Sequence, residues 1–490
     1  MSKPKREKAA GKHQVAADAD ERSENGAGLK AGPSADVSSE PLRFEVPFAA
    51  VSPRLINPKL GLASLVPSAD AGASYTIDVT LLDSPDHRLI RSGILLAHRV
   101  RDGVGEWYLS APSWSPYLAA EATEPMGQAD LPQVFVDLVR PFRRIGALGP
   151  VAALTSEQRD TLFQDVSGKA VATVRDTRVT VRRGGLTTAR FREVTITPGG
   201  KGLAPAQRTF LTDTLTGLGA SAVDDFPPLA QRLGAPATGL PDYPEPRPLD
   251  QPDTLHRWLG NLIAYRLRGI VRADLDIRTK PDRPARASLA RAAAELRSEL
   301  LGLSDLLEPA RLNDIADDLA WLAGSASTEL AARLRGERYL ALLEQLVNVP
   351  RALWLGDAGT EPAKRVLRDL LARGLDQLAA RANAAAVDGP DGEWESVVDA
   401  AEHVLDTCAV ASHLRPKPVH KVRERLVPLT RSLSDCLVGD LDGLREQAEA
   451  GDPAAAFGLG RQFEQGLARR NASRRLWLHA WSKQAPKLLA

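Results

Sequence analysis

The residues best suited to chemistry are cations. The stretch "KPVHKVRER" (417–425) gathers Lys417, His420, Lys421, Arg423 and Arg425 within little more than two helical turns. A second run, "RRNASRR", occupies 469–475. Positive side chains at this density hold phosphate-rich polyanions through charge and counterion release. The same residues also suit a solvated helix surface, and His420 reads first as a surface histidine. His256, His403, His413 and His479 have no evident sequence partner. There is no nucleophile elbow, Walker loop, zinc spacing or dinucleotide fingerprint, so the enzyme classes built on those motifs are not indicated.

The elements that must position these groups fall into two kinds. The chain has 490 residues, too many for one ordinary core, and two folded domains with a tail are expected. Lys+Arg 63 against Asp+Glu 62 leaves a formal charge of +1, so no global field exists to coat the protein with nucleic acid, and no specific nucleic-acid binding is expected. Only two cysteines occur, Cys408 and Cys436, without metal-ligand spacing, which suits a reducing compartment. The basic N-terminus lacks an apolar core behind it, and no apolar run approaches a membrane span. A cytoplasmic protein without membrane contact is the expectation.

Residues 1–40 are poor in large apolar groups and read as a disordered tail. From 41 to 232 the pattern is mainly of strands. "SYTIDVTLLD" (74–83), "EWYLSAP" (106–112), "KAVATVRDTRVTVRR" (169–183) and "ARFREVTITP" (189–198) are β-branched and partly alternating. Arg183-Gly184-Gly185 joins the last pair as a hairpin, and helices are expected near 131–144 and 205–219. The Pro/Gly-rich stretch 233–252 reads as a stiff linker. From 253 to 490 the period turns helical: Leu289, Leu296, Leu300, Leu303 and Leu307 form one apolar stripe, and Val366, Leu367, Leu370, Leu371, Leu375 and Leu378 another. The fold class expected is α+β in two domains, an antiparallel β tunnel or barrel followed by an all-α helical bundle.

The segment "LLDSPDHRLIRSGILL" (81–96) resembles the Y-Y-D-T-P-D-x-R-L-x-R-x-G-x-x-L motif of CYTH domains, the triphosphate tunnel fold. "EWYLSAP" is similar to that family's W-x-L-K-x-P, and "FREVTIT" to its W-R-E-V-E-V-E, in the same order along the chain. The helical half resembles the CHAD domain, associated in that family with inorganic polyphosphate. Its "AAELRSELLGLSDLL" is similar to R-R-L-R-S-x-L-x-x-F-x-x-L-L.

The resemblance implies a lumen in which carboxylates hold Mg²⁺ or Mn²⁺ and basic side chains hold phosphate oxygens. It leaves Glu45, Asp176 and Glu193 as residual metal candidates and Arg99 as a phosphate candidate. Against the family's E-x-E-x-K, Arg43 and Pro47 replace the first Glu and the Lys; Ala97 and His98 replace arginines, and Ser110 a lysine. Thr155 and Glu157 fall among a run of family arginines, Thr173, Thr195 and Thr197 replace acids, and Pro228 stands for a lysine. In the helical half Ala287 falls at the family's His, Ala294 and Glu295 at its arginines, leaving Arg297. Glu395, Asp399 and Glu402 replace a second His and its lysines, leaving the 417–425 cluster as the other phosphate candidate.

These losses imply a CYTH–CHAD protein that binds or scaffolds in a polyphosphate context rather than an enzyme. One alternative is a metal-dependent triphosphatase or nucleotide-processing enzyme using the reduced Glu45, Asp176, Glu193 and Arg99 set. Another is an interaction protein that uses only the helical domain to hold a protein partner.

Overall fold

The computed structural model describes residues 37–489 apart from 53, 69–73, 127–129, 325–328, 353–354, 438–440 and 451–452. Nearly all of the expected N-terminal tail, residues 1–36, lies outside the described residues. The strands are β1 (Leu42–Val46), β2 (Ser64–Pro67), β3 (Ser74–Asp83), β4 (Leu95–Arg101), β5 (Val104–Ser110), β6 (Glu121–Pro125), β7 (Gly149–Gln164), β8 (Ala170–Arg183), β9 (Leu186–Pro198) and β10 (Ser221–Val223). Among them lie helices α1 (Arg88–Arg91), α2 (Gln133–Arg143) and α3 (Pro205–Thr216), and after them α4 (Leu229–Leu233). The strands form one ten-stranded sheet in the order β10-β1-β9-β8-β7-β3-β4-β5-β6, with β2 added to β7. Every pairing is antiparallel. Gly184 and Gly185 turn β8 into β9 with φ of 53° and 82°, a left-handed pair that side chains with a Cβ resist.

The helices beyond are α5 (Leu255–Thr279), α6 (Arg283–Leu301), α7 (Pro309–Ala323), α8 (Leu330–Arg335), α9 (Glu337–Ala352), α10 (Ala363–Ala384), α11 (Asp391–Ala411), α12 (Pro416–Leu433), α13 (Leu441–Ala450) and α14 (Pro453–Leu488). The leucine stripe is the buried face of α6 and its continuation, with Leu289, Leu296, Leu300 and Leu303 all interior. At the end of α6 the chain comes very close to α11. A Cβ on Gly302 would lie 2.3 Å from the Asp406 carbonyl oxygen, a backbone atom that cannot rotate away. Gly302→Ala is therefore expected to destabilise by about 1–3 kcal/mol through overpacking, visible as a lower urea midpoint at unchanged slope.

The two halves share one apolar core. Leu96, Trp107 and Leu109, on one face of β4 and β5, join Phe135, Val139 and Phe142 of α2 and then Trp258, Leu259 and Leu262 of α5. Trp114 sits at the junction, fully buried, with Phe142 and Tyr243 edge-on at 4.7 and 6.1 Å. The Pro/Gly-rich stretch is pinned within this junction rather than spacing the halves apart. Asp242 is buried and accepts from Arg144 (2.6 Å), Arg91 (2.8 Å) and Arg351 (3.0 Å). Glu344 of α9 accepts from Arg144 and Arg88, each at 2.7 Å. Burial disfavours both carboxylates, yet the arginines hold each below its usual range. Burial pushes the Tyr243 phenol up to about 12, so it stays neutral and donates to the Pro141 carbonyl.

Candidate functional site

The inner face of the sheet is fixed by register. Glu45 pairs with Glu193, Glu193 with Thr177, Thr177 with Gln158 and Gln158 with Tyr75, so these side chains share a face. The next rows on that face are apolar: Leu81, Ala97, Tyr108, Ala152, Leu154, Val179 and Val181 cluster with Leu233 and Ala237. That cluster forces curvature. In a flat sheet β1 and β5 would stand about 29 Å apart, six strand spacings. Helix α4, about 7.5 Å long, nevertheless bonds to β1 and β9 while packing on residues of β3, β4 and β5. The sheet therefore curls around α4, which lies inside it.

One side chain of α4 decides the chemistry of this lumen. Arg232 donates through Nη2 to both Glu45 and Glu193, the latter at 3.0 Å. Its guanidinium also lies 4.3 Å from the centre of the Phe191 ring, on the same inner face. Burial pushes the Glu193 carboxyl up, Arg232 pulls it back, and the charge on Glu45 adds to the rise. The two carboxylates expected to hold a divalent cation are thus brought together, and a guanidinium stands between them.

Asp176 does not join them. It pairs in register with Val194, whose side chain faces the outer core beneath α3, and so lies on the opposite face from Glu193. There it takes a bidentate pair of 2.6 and 2.8 Å from Arg192, itself only 2% exposed. The parity of β8 makes this unavoidable, because Asp176 is one residue away from the inward Thr177. No group of three His, Cys, Asp or Glu side chains suited to a metal occurs among the described residues. The residues present do not fit Mg²⁺ or Mn²⁺ in the lumen as it stands.

Three further cations of this face are also matched by acids, whereas Arg183, inward by the alternation of β8, reaches the Ala235 carbonyl at 3.3 Å and has Nε and Nη2 buried without a hydrogen-bond partner among the described residues. Arg99 shares the inward face of Ala97, but it bonds to Glu106 (Nε–O 3.0 Å) and stacks on Tyr108 at 3.6 Å. Arg175 pairs with Asp160 at 2.8 Å, and Arg43 reaches the Asp224 carbonyl at 2.8 Å and Asp225 at 4.0 Å. Ala97 is buried within the lumen, whereas His98 turns to the other face and meets Trp107. Thr155 and Glu157 likewise alternate away from the inward Leu154. Pro228 is the N-cap of α4, a position that needs no backbone donor.

The motif "LLDSPDHRLIRSG" serves architecture. Asp83 is buried and accepts the backbone N–H groups of Ser84, Leu89 and Ile90, closing the turn into α1. Burial pushes its carboxyl up while those three donors pull it down. Arg88 and Arg91 cross to Glu344 and Asp242, bracing the junction rather than binding phosphate.

In the helical half the structure divides the phosphate candidates. Lys417, His420 and Arg423 line a cavity of about 470 Å³ with Ser412, Pro416 and Val419; among the described residues no carboxylate lines it, although Arg423 and Ser412 also line an adjoining pocket with Glu295 and Glu299. Lys421 lies outside that cavity, and Arg425 donates instead to the Lys487 carbonyl. Arg297 is on α6, where its charge acts on Asp406, and its Nε is buried without a hydrogen-bond partner among the described residues. Glu395, Asp399 and Glu402 are exposed at i, i+4 and i+7, an acidic stripe along α11. Half of the second basic run is spent internally, Arg470 and Arg474 both binding Asp391, while Arg469 and Arg475 are exposed. Cys408 and Cys436 are buried free thiols pushed up by burial to about 12 and about 11, which keeps them unreactive. No described helix is long and apolar enough to cross a membrane.

A curled antiparallel sheet, its lumen occupied by one of its own arginines and its outer face sharing a core with an all-α bundle, defines the architecture. The bundle carries a CHAD domain: residues 278–441, from the last turn of α5 to the start of α13, match the model of that family. Among solved structures, a candidate adenylate cyclase from Bacillus halodurans is similar at 11% identity, covering 35% of this chain and 96% of that one with a TM-score of 0.21. A candidate adenylyl cyclase from Hippeastrum, described as having a dominant triphosphatase activity, is similar at 12% identity over 38% of this chain and 91% of that one, also with a TM-score of 0.21. A comparison with curated proteins gave no match. Arg232, which makes the lumen what it is, is not evident as a site residue in sequence. Its only signal is a lone charge in the otherwise uncharged "PPLAQRL".

Proposed function

We propose that this chain is a CYTH–CHAD protein of the cytoplasm that acts as a non-catalytic binder or scaffold in a polyphosphate context. One observation carries the reading: Arg232 holds Glu45 and Glu193, occupying with its own positive charge the place where a cation-bridged triphosphate would have to enter. A triphosphate would also have to displace α4 from an apolar bed that includes Leu81, Ala97, Leu154 and Val181. Polyanion binding is assigned instead to the cavity of Lys417, His420 and Arg423.

Two measurements test this. With tripolyphosphate and Mg²⁺ or Mn²⁺, phosphate release is expected to stay at background and to be unchanged by Glu45→Ala. Turnover that Glu45→Ala abolishes would show a working metal enzyme instead. Long-chain polyphosphate is expected to be retained at low salt, with affinity falling steeply as salt rises. Joint replacement of Lys417, His420 and Arg423 by glutamine is expected to weaken it at least about tenfold and to flatten the salt dependence. Retention indifferent to those substitutions removes α12 from the binding surface.

A further inference from the structure

A cleft outside the lumen and outside the α12 cavity has the composition of a ligand site. It opens where α5 and α6 meet the sheet half, with a volume of about 310 Å³. Its floor is bare backbone: nothing lies within 4 Å of where a Cβ on Gly269 would stand. Tyr265 and Tyr117 wall it, and Arg266 and Arg272 stand against those rings, each guanidinium carbon 5.6 Å from a ring centre.

The two arginines are not equivalent. Arg266 is committed to Glu299 and Glu295. Among the described residues Arg272 pairs with Glu245 alone, at 3.7 Å, and that carboxylate is 71% exposed and already bound to Arg268 at 2.6 Å. Tyr265 is 45% exposed, unusual for so large a ring on an otherwise buried helix. Ser288 lies across the cleft on α6, and Asp276 is the acid among the lining residues.

A loosely paired guanidinium, two flat rings and a floor without side chains recognise one kind of molecule: a planar ring that slides over Gly269 between the tyrosines and carries an anionic group to Arg272. The volume is at the lower end for small-molecule sites, about 300–1,000 Å³, and suits a single ring system with one phosphate or carboxylate. We propose that this junction cleft binds a small aromatic anion of mononucleotide size. The site is independent of polyanion binding at α12 and of the state of the lumen.

Calorimetric titration of the full chain with adenosine 5′-monophosphate tests the assignment, with adenosine and inorganic phosphate as separate arms. The monophosphate is expected to bind at least tenfold more tightly than either fragment. Arg272→Ala is expected to weaken it at least tenfold, and Gly269→Leu to abolish it by filling the floor. Tyr265→Ala, an exposed position that leaves the core intact, is expected to weaken it severalfold even if the leucine variant folds poorly. Inorganic phosphate binding as well as the nucleotide would overturn the aromatic part of the proposal. Absence of binding at millimolar nucleotide, or binding untouched by Arg272→Ala and Tyr265→Ala, would overturn the site.

Discussion

Asp242→Ala is expected to cost about 3–5 kcal/mol of stability, because it leaves Arg144 buried with its main partner gone. Asp242 is fully buried and Arg144 only 2% exposed, so neither water nor salt can replace the lost contact. Urea unfolding at neutral pH measures the loss, and Arg351→Ala is the control: that arginine is 44% exposed and its removal should cost about 1 kcal/mol or less. The deficit has a direction in pH. Asp242 titrates below its usual range in the folded chain, so its contribution is intact above the ordinary carboxylate range and lost as pH falls through the depressed value. Native protein and variant should therefore converge on acidification, as the native pair is itself protonated. A gap that stays constant into acid would mean that the cost lies in packing and not in charge.

The second large effect belongs to the lumen. Arg232→Met keeps most of the aliphatic stem but removes the charge that holds Glu45 and Glu193 together. The expected cost at neutral pH is about 1–3 kcal/mol, discounted from a fully buried pair because all three groups retain some solvent. Glu193 is already pushed up by burial, and without the arginine's opposing pull it rises further. A carboxyl raised in the folded state destabilises above its pKa, so the variant's deficit is greatest at neutral pH and shrinks as Glu193 protonates. The vacated carboxylates also become a weak hard-cation site. Millimolar Mn²⁺ is expected to raise the melting temperature of Arg232→Met and leave the native chain unchanged. Equal stabilisation of both would mean that Arg232 does not exclude the cation.

Much of this was legible residue by residue where the signal is local. The β8–β9 hairpin follows from β-branched alternation around Gly184-Gly185, and the α6 stripe from its leucine spacing. The expected helices near 131–144 and 205–219 are α2 and α3. What failed was local parity and distant partnership. Asp176 sits in the right strand, but one step out of phase with Thr177 it faces the other core. Asp242 and Tyr243 lie in a stretch whose prolines and glycines signal irregular backbone. Nothing there reveals that Arg144, 98 residues earlier, and Glu344, on a distant helix, complete the network. Arg232 is 187 residues from Glu45, and only closure of the sheet brings them together.

The continuous core at the junction makes the sheet a structural part of the helical bundle. Leu96, Trp107 and Leu109 on the sheet, with Trp114 and Phe142, serve as the missing wall of the helical bundle. Cutting the chain within 233–252 would leave that wall facing water on one fragment and an open seam along α5 on the other, an invitation to aggregation. The residues of the lumen face α4 and one another, away from this seam. The sheet's outer face is therefore bound to the bundle, and the lumen is a separate packed core behind it.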